Sequence, residues 1–132
     1  MVLILIRGIP GSGKTTFAKA LLKRINAYFY EADMFFMTES GYKFDASKLN
    51  LAHHFCFNNT KNALANNSNC IVANTFSTLS EIEPYLNLGK EYNARIVIYR
   101  MTGHYQNVHS VPEKTIMKIQ NRFIDMPNEI LE

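Results

Sequence analysis

The chain has 132 residues, 47% of them hydrophobic and 19% charged, and 14 Lys and Arg against 11 Asp and Glu leave a formal net charge of +3. That length and apolar content suit one domain with its own core and exclude a disordered chain. The modest charge is scattered, so it permits a polyanionic partner without arguing for a dedicated nucleic-acid binder.

Taken in chain order, Met1-Val2-Leu3-Ile4-Leu5-Ile6 is a continuous apolar run, read as a strand over Val2 to Arg7 and too short to cross a membrane. Behind it, Gly8-Ile9-Pro10-Gly11-Ser12-Gly13-Lys14-Thr15-Thr16 matches G-x-x-x-x-G-K-[ST], a phosphate-cradling loop. Gly8, Gly11 and Gly13 let backbone N–H groups turn toward phosphate oxygens, with Pro10, Ser12 and Thr16 completing the cradle. Lys14 has the reach for the β- and γ-phosphates, and the Thr15 hydroxyl is placed to ligate Mg²⁺. A helix from Lys14 to Arg24 follows, so bound phosphates would sit on a helix N-terminus.

Tyr28-Phe29-Tyr30 reads as a second strand, and Met34 to Asp45 as a loop with Gly41 in its middle. Asp45 or Ser47 caps a long helix from about Ala46 to Asn66. Cys70 to Ala73 is a short buried strand, and Ser80 with Glu83 fits a capping box for the next helix, with Pro84 in its first turn. Arg95 to Tyr99 is the fourth strand. Ser110 to Glu113 opens a last helix that Pro127 stops, with Ile116, Ile119, Phe123 and Met126 as its apolar stripe. Cys56 and Cys70 have no metal-type spacing and read as reduced, buried thiols of a cytoplasmic protein.

Apolar strands alternating with helices predict an α/β fold: a four-stranded parallel sheet in a three-layer α/β/α sandwich, strand order 2-3-1-4, over residues 1–132 as one domain. In such sheets ligands bind beyond the carboxyl ends of the strands. Asp33, alone of three Asp residues, follows a strand and faces the phosphate loop; it reads as a general base for a hydroxyl, or else as a loop cap. Asn74 and Thr75 follow the third strand, as acceptor ligands or turn formers. Arg100 follows the fourth, heading a segment to Pro112 that reads as a lid, and is the candidate cation over the transferring group, ahead of His104 and His109. Phe35, Phe36, Tyr42 and Phe44 are candidates for base stacking or for the core, and His53 or His54 faces the cleft.

With these residues in hand, the chain resembles the P-loop domain of polynucleotide 5′-hydroxyl kinases and their smaller ATP-binding relatives. The resemblance runs through Arg7 to Thr16, Glu31 to Phe36, Gly41 to Phe44, Ala52-His53, Val72 to Thr75, Pro84-Tyr85, Asn107 to Pro112 and Arg122-Phe123. It implies an ATP- and Mg²⁺-dependent kinase of the P-loop NTPase fold, with Lys14 and Thr15 on the phosphates and metal and Asp33 as general base. The implied acceptor is a hydroxyl on a nucleic-acid end, or alternatively a nucleoside or a hydroxymethylated base in DNA, in a protein with no membrane segment. Asn74 stands where polynucleotide kinases keep an acidic residue, Phe36 near their acceptor-phosphate arginine, and the segment around Gln106 lacks a lid arginine. Those departures keep a second expectation open, an ATP-binding module acting through a partner. A simple NTPase switch ranks last, because Cys70 to Asn74 brings no carboxylate for Mg²⁺.

Overall fold

Five of the six residues of β1 (Val2–Arg7) are buried, which places this strand in the middle of the sheet. The computed structural model describes residues 1–105 and 111–132, and among these the main sheet has five strands. α1 (Lys14–Leu22) leads to β2 (Tyr28–Tyr30) and then to a two-stranded ribbon, β3 (Met37–Thr38) with β4 (Gly41–Tyr42). α2 (Leu49–Ala65), β5 (Cys70–Asn74), α3 (Leu79–Glu91), β6 (Arg95–Arg100), α4 (Glu113–Arg122) and β7 (Ile130–Leu131) complete the order. The sheet order is β2-β5-β1-β6-β7, and every pairing within it is parallel.

The four expected strands stand in the expected order, and the count is corrected to five by β7, which adds to the outer edge of β6. The alternation of a strand sorts the core into two layers. Leu3, Leu5, Cys70 and Val72 face Ala52, Cys56, Ile82, Tyr85 and Leu88 of α2 and α3. Ile4, Ile6, Ile71 and Ala73 face Ala18, Phe17, Leu21 and Leu22 of α1. Helices thus cover both faces of the sheet, as parallel strands buried on both sides require. Both thiols are free and buried.

Several boundaries move. α1 ends at Leu22 rather than Arg24, and part of the expected loop from Met34 to Asp45 forms the ribbon, turned at Gly41 with φ +105°. Asp45 does cap, accepting from Ser47 N at 3.0 Å, but what it caps is a 3-10 turn (Ala46–Lys48) leading into α2. The capping box belongs to Thr78 and Glu81, two residues before Ser80 and Glu83. Both pairs have the same spacing, and the selected one lets Glu81 also bind Ser77. Pro84 consequently lies inside α3 rather than in its first turn. α4 begins at Glu113 and ends at Arg122, ahead of Pro127, and Ser110 lies outside the described residues. Ile116 and Ile119 of its stripe are buried and Met126 packs on the core, while Phe123 has a different use described below.

Candidate active site

The phosphate loop joins the end of β1 to the start of α1, and its backbone is shaped by Gly11 at φ +81° and Gly13 at φ +98°. These left-handed values suit glycine alone among common residues. Gly13 is the N-cap of α1 and makes no side-chain cap, and the first turn carries no acidic residue. The helix start therefore keeps amide donors and a favourable dipole for an anion. Ser12 is fully buried, and its Oγ has no hydrogen-bond partner among the described residues. Lys14 Nζ donates to the carbonyls of Gly8 at 2.8 Å and Ile9 at 3.0 Å. Burial pulls its ammonium down to about 8, against the opposing pull of Glu31 and Asp33. This donor set fits the phosphates of a nucleotide. Thr16 is exposed and Pro10 half-buried on the rim.

Two carboxylates follow β2. Glu31 Oε2 accepts from the Thr15 hydroxyl at 3.0 Å, and Asp33 Oδ1 accepts from the Tyr42 hydroxyl at 3.1 Å. Asp33 lies in a 3-10 turn (Ala32–Phe36), with Ala32 and Phe36 buried beneath it as anchors. Burial, and then the Asp33 carboxylate, push the Tyr42 phenol up to about 12, so it stays a donor at neutral pH. Of the two uses expected for Tyr42, base stacking or core packing, the structure shows packing: its hydroxyl donates to Asp33 and its ring packs edge-on to Phe36 at 6.3 Å. Phe35 likewise packs edge-on against Phe36 and Phe55, whereas Phe44 stays 54% exposed. Glu31, after the second strand, is a carboxylate that the reading of Cys70 to Asn74 for a metal ligand does not reach. Its only sequence signal was a carboxylate at a strand end facing the loop.

Asn74 and Thr75 tie the strand ends together. Asn74 Oδ1 accepts from Ala32 N at 2.9 Å, between the two carboxylates, and Gly8 N donates to the Thr75 carbonyl at 3.2 Å. Both residues line a cavity of about 390 Å³ between α2 and α3, together with His53 and His54.

Arg100 borders a small cavity beside Gly8 and Ile9, with its guanidinium engaged by acidic partners. Its guanidinium pairs with Asp125 and, at 3.4 Å, with Glu129, and lies 4.8 Å from the Phe123 ring centre. Arg7, fully buried at the root of the loop, shares this network: it pairs with Glu129 at 2.7 Å and lies 4.5 Å from the same ring. Arg7 Nε and Nη2 also donate to the Phe76 carbonyl at 3.0 and 2.8 Å, where Phe76 takes φ +45°. A left-handed value is costly for so bulky a residue, and the two hydrogen bonds from Arg7 hold the Phe76 carbonyl in that conformation. Arg100, the candidate lid cation, is thus engaged by two carboxylates and an aromatic ring in this structure. Of the expected lid, residues 101–105 fold onto the phosphate loop: Tyr105 N donates to the Gly11 carbonyl at 2.7 Å. The small cavity, of about 170 Å³, lies there, between Gly8, Ile9, Arg100 and the turn from Met101 to His104. Gln106 and His109 lie outside the described residues. Among the described residues no group of three His, Cys, Asp or Glu is placed to hold a metal, and no helix is long and apolar enough to cross a membrane.

A family model described as an AAA domain matches residues 3–108. NEDD4-binding protein 2 of Homo sapiens is 27% identical over 141 residues, an alignment covering 96% of this chain and 8% of that protein. Among solved structures, the Pnkp1/Rnl/Hen1 complex has a chain that superposes with a TM-score of 0.64 at 22% identity, over 88% of this chain and 38% of its own. Kti12 of Chaetomium thermophilum, solved in complex with ADP-AlF3, superposes with a TM-score of 0.70 at 11% identity over 98% and 88%. The chain thus spans a small part of NEDD4-binding protein 2 and about two fifths of the Pnkp1/Rnl/Hen1 chain.

Proposed function

The chain belongs to the AAA domain family, as a P-loop kinase-like member, and from that premise we propose that it transfers the γ-phosphoryl group of ATP to a hydroxyl. The observation that carries this reading is the pair of carboxylates after β2, Glu31 accepting from the Thr15 hydroxyl of the phosphate loop and Asp33, two residues on, held by the Tyr42 hydroxyl, both close enough to favour the charged form of Lys14. A switch or a passive binder has no need of a second carboxylate there. Phosphoryl transfer does, because the attacking hydroxyl must be oriented and lose its proton.

The chain's own groups divide the work. The amides of the loop and of the start of α1, with Lys14, hold the β- and γ-phosphates. Thr15 and Glu31 are the residues that would hold Mg²⁺, which when bound would offset the negative charge of the phosphates during transfer. Asp33 takes the proton of the acceptor hydroxyl, and Tyr42 fixes the carboxylate that does so. The acceptor implied by the sequence resemblance is a polynucleotide 5′-hydroxyl, and similarity to a chain of the Pnkp1/Rnl/Hen1 complex supports keeping it in the test.

Incubation with labelled ATP, Mg²⁺ and a panel of hydroxyl acceptors decides the activity. Asp33→Asn is expected to lower kcat by about a thousandfold with ATP affinity kept, the scale of a lost general base. The second reading, an ATP-binding module acting through a partner, draws support from the engagement of Arg100 by Asp125 and Glu129. It predicts ATP binding with no transfer to any acceptor, and no effect of Asp33→Asn.

A further inference from the structure

The cavity between α2 and α3 has a chemistry that selects its occupant. At about 390 Å³ it falls in the range of small-molecule sites, roughly 300–1,000 Å³. Its walls are largely apolar, built on the rings of Phe57 and Tyr85, with His53, His54, Asn74 and Thr75 as polar points. No lysine or arginine lines it among the described residues. Its single carboxylate, Glu81, is already committed: it accepts from Ser77 Oγ, from Thr78 N at 2.9 Å and from Thr78 Oγ1 at 3.1 Å, and Arg122 approaches it at 3.9 Å. A phosphate brought into such walls would lose water and meet no lysine or arginine, only the two imidazoles, whereas a planar ring would gain aromatic contact.

The position of the cavity gives it a role. Asn74 and Thr75 in its wall are the same residues bonded to Ala32, between Glu31 and Asp33, and to Gly8 of the phosphate loop. We propose that this cavity is the acceptor site, and that the acceptor is a nucleoside-like molecule: a planar, uncharged ring carrying a hydroxyl and no phosphate of its own. Phe57 and Tyr85 receive the ring, Asn74 and the two histidines read its polar edge, and the hydroxyl points toward the Asp33 turn. The inference rests on the phosphotransfer reading but uses a different part of the molecule.

The test separates the two. Nucleosides, their 3′-monophosphates and a 5′-hydroxyl oligonucleotide are compared as acceptors at saturating ATP. The free nucleoside is expected to exceed its 3′-monophosphate and the oligonucleotide by about tenfold or more in kcat/KM. Asn50→Trp, an exposed residue at the cavity wall, is expected to raise the nucleoside KM by a similar factor and leave ATP affinity unchanged. Preference for the phosphorylated acceptors, or an unchanged KM in Asn50→Trp, overturns the proposal. Independently of transfer, nucleoside addition should shift the imidazole resonances of His53 and His54 in the wild type and not in Asn50→Trp. Shifts without transfer to any acceptor overturn the phosphotransfer reading alone, and absence of shifts overturns the cavity assignment.

Discussion

Nucleotide binding is expected to take up a proton at Lys14. In the free protein burial holds this ammonium down to about 8, with Glu31 and Asp33 only partly offsetting the loss of water. Phosphate oxygens beside the ammonium stabilise its charged form, so the bound state should stay protonated well above that value. Uptake per nucleotide then follows from the fraction neutral beforehand: about 0.1 at pH 7, about 0.5 at pH 8 and about 0.9 at pH 9. The apparent affinity should fall toward tenfold per pH unit above 8. Calorimetric titration in two buffers of different ionisation heat reads the uptake directly. Lys14→Arg, which stays charged, should bind without it. A buffer-independent heat at pH 9 in the wild type, or equal uptake in Lys14→Arg, refutes the reasoning. The same residue affects the free fold. Its folded value lies below its ordinary 10.5, so the penalty of the buried charge is fully present below pH 8. It is relieved as pH rises toward 10.5, and urea denaturation should show this group's contribution as a gain in stability across that window.

Glu31→Gln should weaken the metal dependence of nucleotide binding, so that ATP affinity becomes nearly the same with Mg²⁺ and with chelator, read by fluorescence titration. Unchanged Mg²⁺ enhancement would remove Glu31 from the metal site. Tyr42→Phe deletes the donor to Asp33 and should cost about tenfold in kcat while the KM for ATP stays fixed; equal kcat values would make Tyr42 a packing residue only. Glu129→Gln leaves the fully buried Arg7 without its charge partner, and urea denaturation should show a loss of about 3–5 kcal/mol. A loss below about 1 kcal/mol, the scale of a surface pair, would show that water reaches Arg7.

How much was legible in the residues varies by element. The apolar run Val2 to Arg7, the glycines and Lys14 of the loop, and the helix behind them carry local signals, and each stands where the pattern put it. The parallel sheet and the central place of β1 followed from alternating elements with apolar strands. β7 was not legible: its two exposed residues have no periodicity, and the strand exists only because β6 offers it an edge. The capping box was misplaced by two residues because two overlapping Ser/Thr-x-x-Glu sets share one spacing, and only the contact of Glu81 with Ser77 chooses between them.

By itself the sequence determined the donor half of this protein. A glycine-rich turn between an apolar strand and a helix leaves backbone amides pointing at a phosphate whatever surrounds it, because the chemistry lies in consecutive residues. The tertiary structure decided the rest, because the rest depends on residues far apart in the chain. Thr15 meets Glu31, Tyr42 reaches back to Asp33, and Arg100 turns to Asp125 and Glu129. Asp33 was visible as a carboxylate after a strand. That Tyr42 holds it came from the β3–β4 ribbon folding back on the turn after β2, and a cavity free of lysine and arginine among the described residues came from the packing of α2 and α3 against the sheet.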